Sequence, residues 1–397
     1  MSSSIASSLA PSLPFFDLCS LPGASEDHRA FQQAIRRFVE KEISPFAHEW
    51  DEAGEFPRGL YRKAAAIGLQ GLGYPEKYGG TPCDQLTRMI ATCELSKAGA
   101  GGINASLMSH TIMVQPILLG GSEAIKEKVL PKLFSGEAIG ALGITEPSGG
   151  SDVAQLTTKA VACDGGYRLS GGKIFITSGM RADFYVIAAR TGGPGAAGVS
   201  VFLVDRDSPG FTRQALKKTG WWASDTASLF FDDVFVPKGH LLGEENRGFG
   251  IVMSNFNAER LGMATQAIAF AQVCVEEALQ WAKERKTFGQ TLMSHQVVRQ
   301  KIVRMIDDIL PVQSHLMILA QRVDAGESPV GEISLVKNHA ARVMRDCADT
   351  AVQILGGSGF MRGGRCERIY REVKVMMIGG GAEEILNDLA ARKLGIM

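Results

Sequence analysis

A double change of hydrophobic period restricts this chain more than any other feature. From Glu26 to about Phe134 apolar residues recur at helical spacing, as Phe31, Ile35, Phe38, Val39 and Ile43 do, the pattern of amphipathic helices. Around Ile139 the texture becomes short β-rich runs, AIGALGIT, KAVACDGGYRLSGGKIFIT, FYVIAAR, VSVFLVD, FTRQAL and SLFFDDVFV, separated by Gly, Asp and Pro turns. Runs so spaced predict an antiparallel barrel or sandwich, and no helix-length pattern between them suggests βαβ units. After LLGEENRGFG the helical period returns, predicting helices near 249–285, 294–324, 330–354 and 382–394. The expected fold is mainly α with an inserted β domain: a flexible extension at 1–23, a helical domain at 24–138, the β domain at 139–245 and a helical domain at 246–397.

With 397 residues, 45% of them hydrophobic, the chain can bury a large core. Lys plus Arg and Asp plus Glu both total 42, so no net field draws it to nucleic acid or anionic lipid. The seven cysteines are odd in number and show no CxxC spacing, which argues against a disulfide framework or a metal site and for a reducing compartment. His110, Gln115 and Pro116 interrupt the apolar stretch Leu107 to Leu119, leaving it short of the ~20 apolar residues of a membrane span. The Ser-rich first 23 residues lack Lys and Arg, so neither a signal peptide nor a mitochondrial leader fits. The expectation is a bacterial cytoplasm ahead of a mitochondrial matrix.

Five stretches could carry chemistry. In the helix opening the last domain, Val252, Phe256, Met263, Phe270, Cys274 and Trp281 share one stripe with Glu259. A carboxylate on an apolar face is paired, neutralised or functional; a pair with Arg260 or a wet helix end are the plain alternatives. GITEPSGGSD, Gly143 to Asp152, gathers hydroxyls and uncrowded backbone N–H groups after a strand, either a simple turn or an anion nest. RKTFGQ, Arg285 to Gln290, suits a phosphate, or only a helix dipole. QILGGSGF, Gln353 to Phe360, is a helix C-cap or a place of close backbone approach. MMIGGGAEEIL, Met376 to Leu386, sets three glycines before the first-turn acids Glu383 and Glu384.

Taken in order, FVEKEISPFAHEWDEAGEFP, GLGYPEKYGG, GSEAIKEKVLPKLFSGE, GITEPSGGSD, GGKIFITSG, GWWASDTASLFFDDVFVP, LLGEENRGF, ERKTFGQ and QILGGSGF resemble the acyl-CoA dehydrogenase family of flavoproteins from about Glu26 to the C-terminus. The resemblance implies a C-terminal four-helix bundle, FAD as cofactor, an acyl-CoA substrate, a homotetramer built as a dimer of dimers, and an electron-transfer flavoprotein as acceptor. It places Leu142, Ile144, Thr145, Gly150 and Ser151 against the flavin, with Phe175, Ile176 and Thr177 covering the ring; Phe175 stands where Trp is common. Arg285, Thr287, Phe288, Gln296, Gln353 and Gly357 would hold a neighbouring subunit's FAD. Ser151, Arg260, Gly379 and Gly380 would meet substrate. Most members carry the catalytic Glu in a Y-E-G-T motif, where this chain has Gly379, Gly380, Gly381 and Ala382. A smaller group, including isovaleryl-CoA and long-chain enzymes, carries it in an x-E-R-L setting that Glu259, Arg260 and Leu261 match. Gly379 in place of a Tyr implies an opened pocket and a branched acyl chain. Other chemistry on an acyl-CoA, as in oxidases, desulfinases or hydroxylases, and a silent FAD-binding assembly partner are the alternative readings.

Overall fold

The computed structural model describes residues 13–397. Most of the expected flexible extension, residues 1–12, lies outside that range. From Leu13 onward the chain is docked: Phe16, Leu18 and Cys19 are buried, the Asp17 carboxylate accepts from the Cys19 amide and from Gln32 Nε2 at 2.8 Å, and Gln313 donates to the Phe15 carbonyl. The apolar side chains between Leu13 and Leu21 supply the anchor that Ser-rich composition obscures.

Among the described residues seven α-helices precede the sheet: α1 (Glu26–Phe38), α2 (Ala47–Ala53), α3 (Gly59–Ala65), α4 (Gln85–Ser96), α5 (Gly101–Leu107), α6 (Thr111–Gly120) and α7 (Glu123–Phe134). The Asp84 and Ser122 side chains accept amide hydrogen bonds at the starts of α4 and α7, as N-cap residues do. The β region contributes β1 (Gly140–Gly143), β2 (Lys159–Cys163), β3 (Gly166–Thr177), β4 (Phe184–Arg190), β5 (Val199–Asp205), β6 (Phe211–Ala215), β7 (Thr226–Pro237) and β8 (Leu241–Leu242). They form one sheet in the order β6-β7-β3-β2-β4-β5-β8, with β1 on β4.

That sheet differs from the expected antiparallel barrel or sandwich in two ways. It does not close, since β6 and β8 remain its ends, and it is mixed, because β1 runs parallel to β4 and β2 meets β4 in parallel at Lys159 and Arg190. Central β4 is covered on both faces, with Tyr185 packing edge-on against Phe211 of β6 at 4.8 Å between ring centres. Tyr185, Ile187 and Ala189 join the core formed with β3 and β7, while Phe184, Val186 and Ala188 face a separate core with Met113 and Ile117 of α6 and Leu130 and Leu133 of α7. Strands thus cover one face of β4, as in a sandwich, and α6 and α7 cover the other.

The last part holds α8 (Gly248–Glu284), a hairpin of β9 (Lys286–Thr287) and β10 (Gln290–Thr291), α9 (Gln296–Asp324), α10 (Val330–Leu355), a single turn α11 (Gly357–Phe360), α12 (Arg365–Ile378) and α13 (Glu383–Lys393). Helices α8, α9, α10 and α12 make the four-helix bundle, and α13 packs along α10. The periodicity reading did not single out α12, whose sequence RCERIYREVKVMMI is dominated by charge and buries a narrow set of apolar residues that includes Cys366, Ile369 and Met376. In α8, Ala264, Ala267, Phe270, Ala271, Cys274, Val275 and Ala278 are all buried. Its middle is enclosed by neighbours on every side, wider than the stripe predicted from spacing. Among the described residues no helix is long and apolar enough to cross a membrane.

Candidate functional site

Glu259 stands three turns inside α8, so the helix end does not reach it. Its Oε2 atom is buried without a hydrogen-bond partner. The alternative of a pair with Arg260 does not hold: the Arg260 Nε donates 2.9 Å to the Gly380 carbonyl. Burial pushes the Glu259 carboxyl up to about 7, against the pull of the Arg260 and Lys337 charges. A carboxyl with a buried, unbonded oxygen and a proton affinity near neutral has the properties that a general base needs.

The neighbouring Arg260 and Met263 meet the turn between α12 and α13, and Lys337, whose charge Glu259 feels, bonds that same turn. Gly380 and Gly381 have φ of 67° and 115°, values that disfavour any side chain. Lys337, which sequence reasoning did not single out, rises from α10 with 1% exposure and donates to the carbonyls of Gly381 at 2.9 Å and Met377 at 3.3 Å. Its position on the buried face of α10 with Ile333, Ala340 and Met344 is the same kind of signal that singled out Glu259. The space that the glycines leave is occupied. A Cβ on Gly379 would lie 3.2 Å from the Met263 methyl, and one on Gly380 2.9 Å from its sulfur. The missing Tyr-sized bulk is therefore replaced by a thioether one turn beyond Glu259, a flexible filler rather than an open space. Of the other acids near the turn, Glu383 is bonded to Arg342 and Glu384 is exposed.

A second group forms where β1 stops. The chain leaves the sheet at Ile144, and Glu146 and Gly149 exchange backbone hydrogen bonds in a tight turn. The amide of Ile174 on β3 bonds the Thr145 carbonyl at 2.9 Å, and the pairing of β3 with β7 shifts register between Lys173 and Ile176. At that shift Phe175 takes φ 63° and stays 66% exposed. A left-handed Phe costs roughly 1–2 kcal/mol, and such outliers concentrate at ligand sites. Leu142, Ile144 and Ile176 are buried, Thr145 and Thr177 half-buried, and Gly150 and Ser151 exposed. Beneath them lies an ion pair that the sequence reading missed: Lys173 Nζ, 2.7 Å from Glu146 Oε1 and 3.1 Å from the Ile144 carbonyl, with Glu146 also accepting from the amides of Thr157 and Thr158. Burial opposes the Glu146 charge, but Lys173 and these donors hold the carboxyl down to about 2.

The third group lies at the other end of α8. Phe288 and Gly289 both have positive φ at the tip of the β9–β10 hairpin, the turn that suits a two-residue connection, and Phe288 is 98% exposed. Arg285, Gln296, Gln353 and Gly357 are also exposed, Thr287 half-buried with its hydroxyl 3.2 Å from His295 Nε2. Helix rise sets Glu259 and the hairpin ~38 Å apart, so this group is not brought to the first within one chain.

Residues 25–137 match the acyl-CoA dehydrogenase N-terminal domain, 141–234 the middle domain and 246–395 the C-terminal domain. An acyl-CoA dehydrogenase of Bacillus subtilis is 36% identical over 373 residues, covering 93% of this chain and 98% of that protein. Isovaleryl-CoA dehydrogenase of Oryza sativa subsp. japonica is 34% identical over 369 residues, 92% of this chain and 90% of that one. Among solved structures, acyl-CoA dehydrogenase from Geobacillus kaustophilus superposes with a TM-score of 0.89 at 35% identity, covering 94% of this chain and 99% of that one. A glutaryl-CoA dehydrogenase from Mycobacterium smegmatis in complex with FADH2 gives 0.89 at 26% identity, covering 94% and 95%. With relatives above 30% identity along nearly the whole of both chains, this protein belongs to the acyl-CoA dehydrogenase family.

Proposed function

We propose that the chain carries out FAD-dependent α,β-dehydrogenation of an acyl-CoA to the trans-2-enoyl-CoA, with Glu259 as general base and a branched acyl chain, isovaleryl-like or methyl-branched terpenoid, preferred over long straight ones. The observation that carries this reading is the Glu259 Oε2 atom, buried and unbonded on the helix whose Arg260 and Met263 meet a turn of three glycines. When bound, FAD supplies the acceptor for the hydride that leaves the β-carbon.

The α-proton of a thioester is weakly acidic, so the base must be unsolvated and close to neutral in proton affinity. Glu259 meets both conditions, and Arg260, tied to Gly380, holds the turn against α8. At Gly379 and Gly380 the flexible Met263 side chain is what a branch near the reacting carbons would displace. The exposed, left-handed Phe175 beside Thr145, Ile176 and Thr177 fits a planar ring laid over the end of β1, with Gly150 and Ser151 free to approach its phosphate side. Arg285, Thr287, Phe288, Gln296, Gln353 and Gly357 would hold the pyrophosphate and adenine of a neighbouring subunit's FAD in a dimer of dimers. The exposure of Arg285, Phe288, Gln296, Gln353 and Gly357, and the distance of the hairpin from Glu259 along α8, support that reading. Electrons would pass to an electron-transfer flavoprotein. A bacterial cytoplasm fits seven free thiols.

The test is anaerobic reduction of the FAD-loaded protein by isovaleryl-, citronellyl-, octanoyl- and palmitoyl-CoA. Glu259→Gln is expected to bind acyl-CoA and lose at least ~100-fold in reduction rate. Near-normal reduction would remove Glu259 from the mechanism, and a clear preference for octanoyl- or palmitoyl-CoA would remove the branched-chain assignment.

A further inference from the structure

The α12–α13 turn is held by two cations from two helices. Arg260 on α8 donates to the Gly380 carbonyl, and Lys337 on α10 donates to the Gly381 carbonyl and to Met377 O in the last turn of α12. A cation at a helix C-terminus is favoured by its dipole, yet burying a Lys to 1% exposure opposes its charge through desolvation. A neutral donor such as Gln could satisfy the same carbonyls, so capping alone does not account for a buried charge here. The neighbouring Asn338 already ties the start of α13 through the Glu383 carbonyl and Asn387.

We propose that Lys337 is a positioning residue for the base: it clamps the Gly379–Gly381 turn and sets a fixed positive charge across from the Glu259 carboxylate without bonding to it. This rests on the reading of Glu259 as base. The charged groups around the carboxyl are few. Arg260 comes from its own helix and Lys337 from α10. Glu383, at the start of α13, is bonded to Arg342, and the α12–α13 turn itself presents glycines. Burial pushes the Lys337 ammonium down to about 8, the Arg260 charge adding to this while Glu259 and Glu383 oppose it. Because the cation is spent on carbonyls, the carboxylate keeps a free lone pair for the α-proton while still feeling a charge that favours its ionised form. A direct Lys–Glu bond would give the second effect and lose the first.

The test uses the FAD-loaded protein with Lys337→Met, Lys337→Arg and, as a fold-preserving control that keeps a donor for Gly381, Lys337→Gln. For both neutral variants the acid limb of kcat/KM for isovaleryl-CoA is expected to move up by about 0.5–1.5 pH units. Activity would then fall about three- to thirtyfold at pH 6.5 and less at pH 9, and Lys337→Arg would restore the wild-type profile. The carboxyl stretch that titrates in the wild type and is missing in Glu259→Gln, followed by infrared difference spectroscopy, should shift by the same amount. An unshifted carboxyl band together with a uniform loss of kcat at all pH values would reduce Lys337 to a structural clamp and overturn the proposal. If Glu259→Gln retained normal reduction, the base reading would fail, and the infrared titration would still report whether Lys337 acts on the carboxyl.

Discussion

The proposed base, a largely buried carboxyl, should weaken the fold, and replacing it should strengthen the protein in a pH-dependent way. Glu259 has a carboxyl pushed from an ordinary 4.5 up to about 7, by burial above all. The folded state therefore binds more protons than the unfolded state between those values, and stability contributed by this group falls as pH rises from about 4.5 to 7 and stays low above. At about 1.36 kcal/mol per pH unit, the deficit is ~0.8 kcal/mol at pH 5 and ~3.3 kcal/mol at pH 8. The side chain keeps some contact with solvent, which brings the expected difference between the two pH values to ~1.5–2.5 kcal/mol. Glu259→Gln removes the charge and with it the pH-dependent part. Urea unfolding of the FAD-loaded wild type and variant, at one protein and one FAD concentration, reads this directly. The variant should gain on the wild type between pH 5 and pH 8 while losing its dehydrogenase activity. A variant-minus-wild-type difference that is the same at both pH values would show that the carboxyl is not desolvated, and the reasoning behind the base would fail with it.

Lys173→Met should cost ~3–5 kcal/mol, since it leaves Glu146 charged and buried without its partner. Thermal unfolding at pH 7 checks this, and because the depressed Glu146 carboxyl contributes stability only above its unfolded value, the deficit should shrink as pH falls from about 4.5 toward 2. Met263→Ala should move the kcat/KM ratio toward bulkier or longer acyl chains by ~10-fold or more, as emptying a pocket of a few methylenes does. Steady-state comparison of isovaleryl- and palmitoyl-CoA gives the ratio.

The helix–sheet–helix order and most strand positions were legible because they depend on local spacing, and GITEPSGGSD, RKTFGQ and the glycine turn fell on the loops expected of them. The sheet's mixed character was not legible. It depends on β1 entering beside β4, a choice made by the separate core with α6 and α7. Nor was the left-handed Phe175, whose register shift accompanies a bond from Ile174 to Thr145 that sequence spacing does not contain. Lys337 and Lys173 were within reach. Each stands on the buried face of its element, Lys337 with Ile333 and Met344 and Lys173 with Tyr167 and Leu169, and the test applied to Glu259, a charge on an apolar face, would have found both.

The placement of the proposed base on α8 and the three glycines of the α12–α13 turn are two sides of one packing constraint. A Glu at position 380 would need φ near 67° and a Cβ 2.9 Å from the Met263 sulfur; at 381 it would need φ near 115° and a Cβ 2.8 Å from Leu386. Either costs on the order of 1–3 kcal/mol in backbone strain before the clash is counted. From α8 the carboxylate comes instead from a helix enclosed along its middle, whose backbone hydrogen bonds fix the Cα position with little freedom. The turn is then released from carrying chemistry and becomes the surface that Arg260 and Lys337 pin in place. In the proposed reaction Met263, one turn from Glu259 and against Gly379 and Gly380, would be the adjustable part, its thioether taking up a change in acyl shape while the proton acceptor stays where it is.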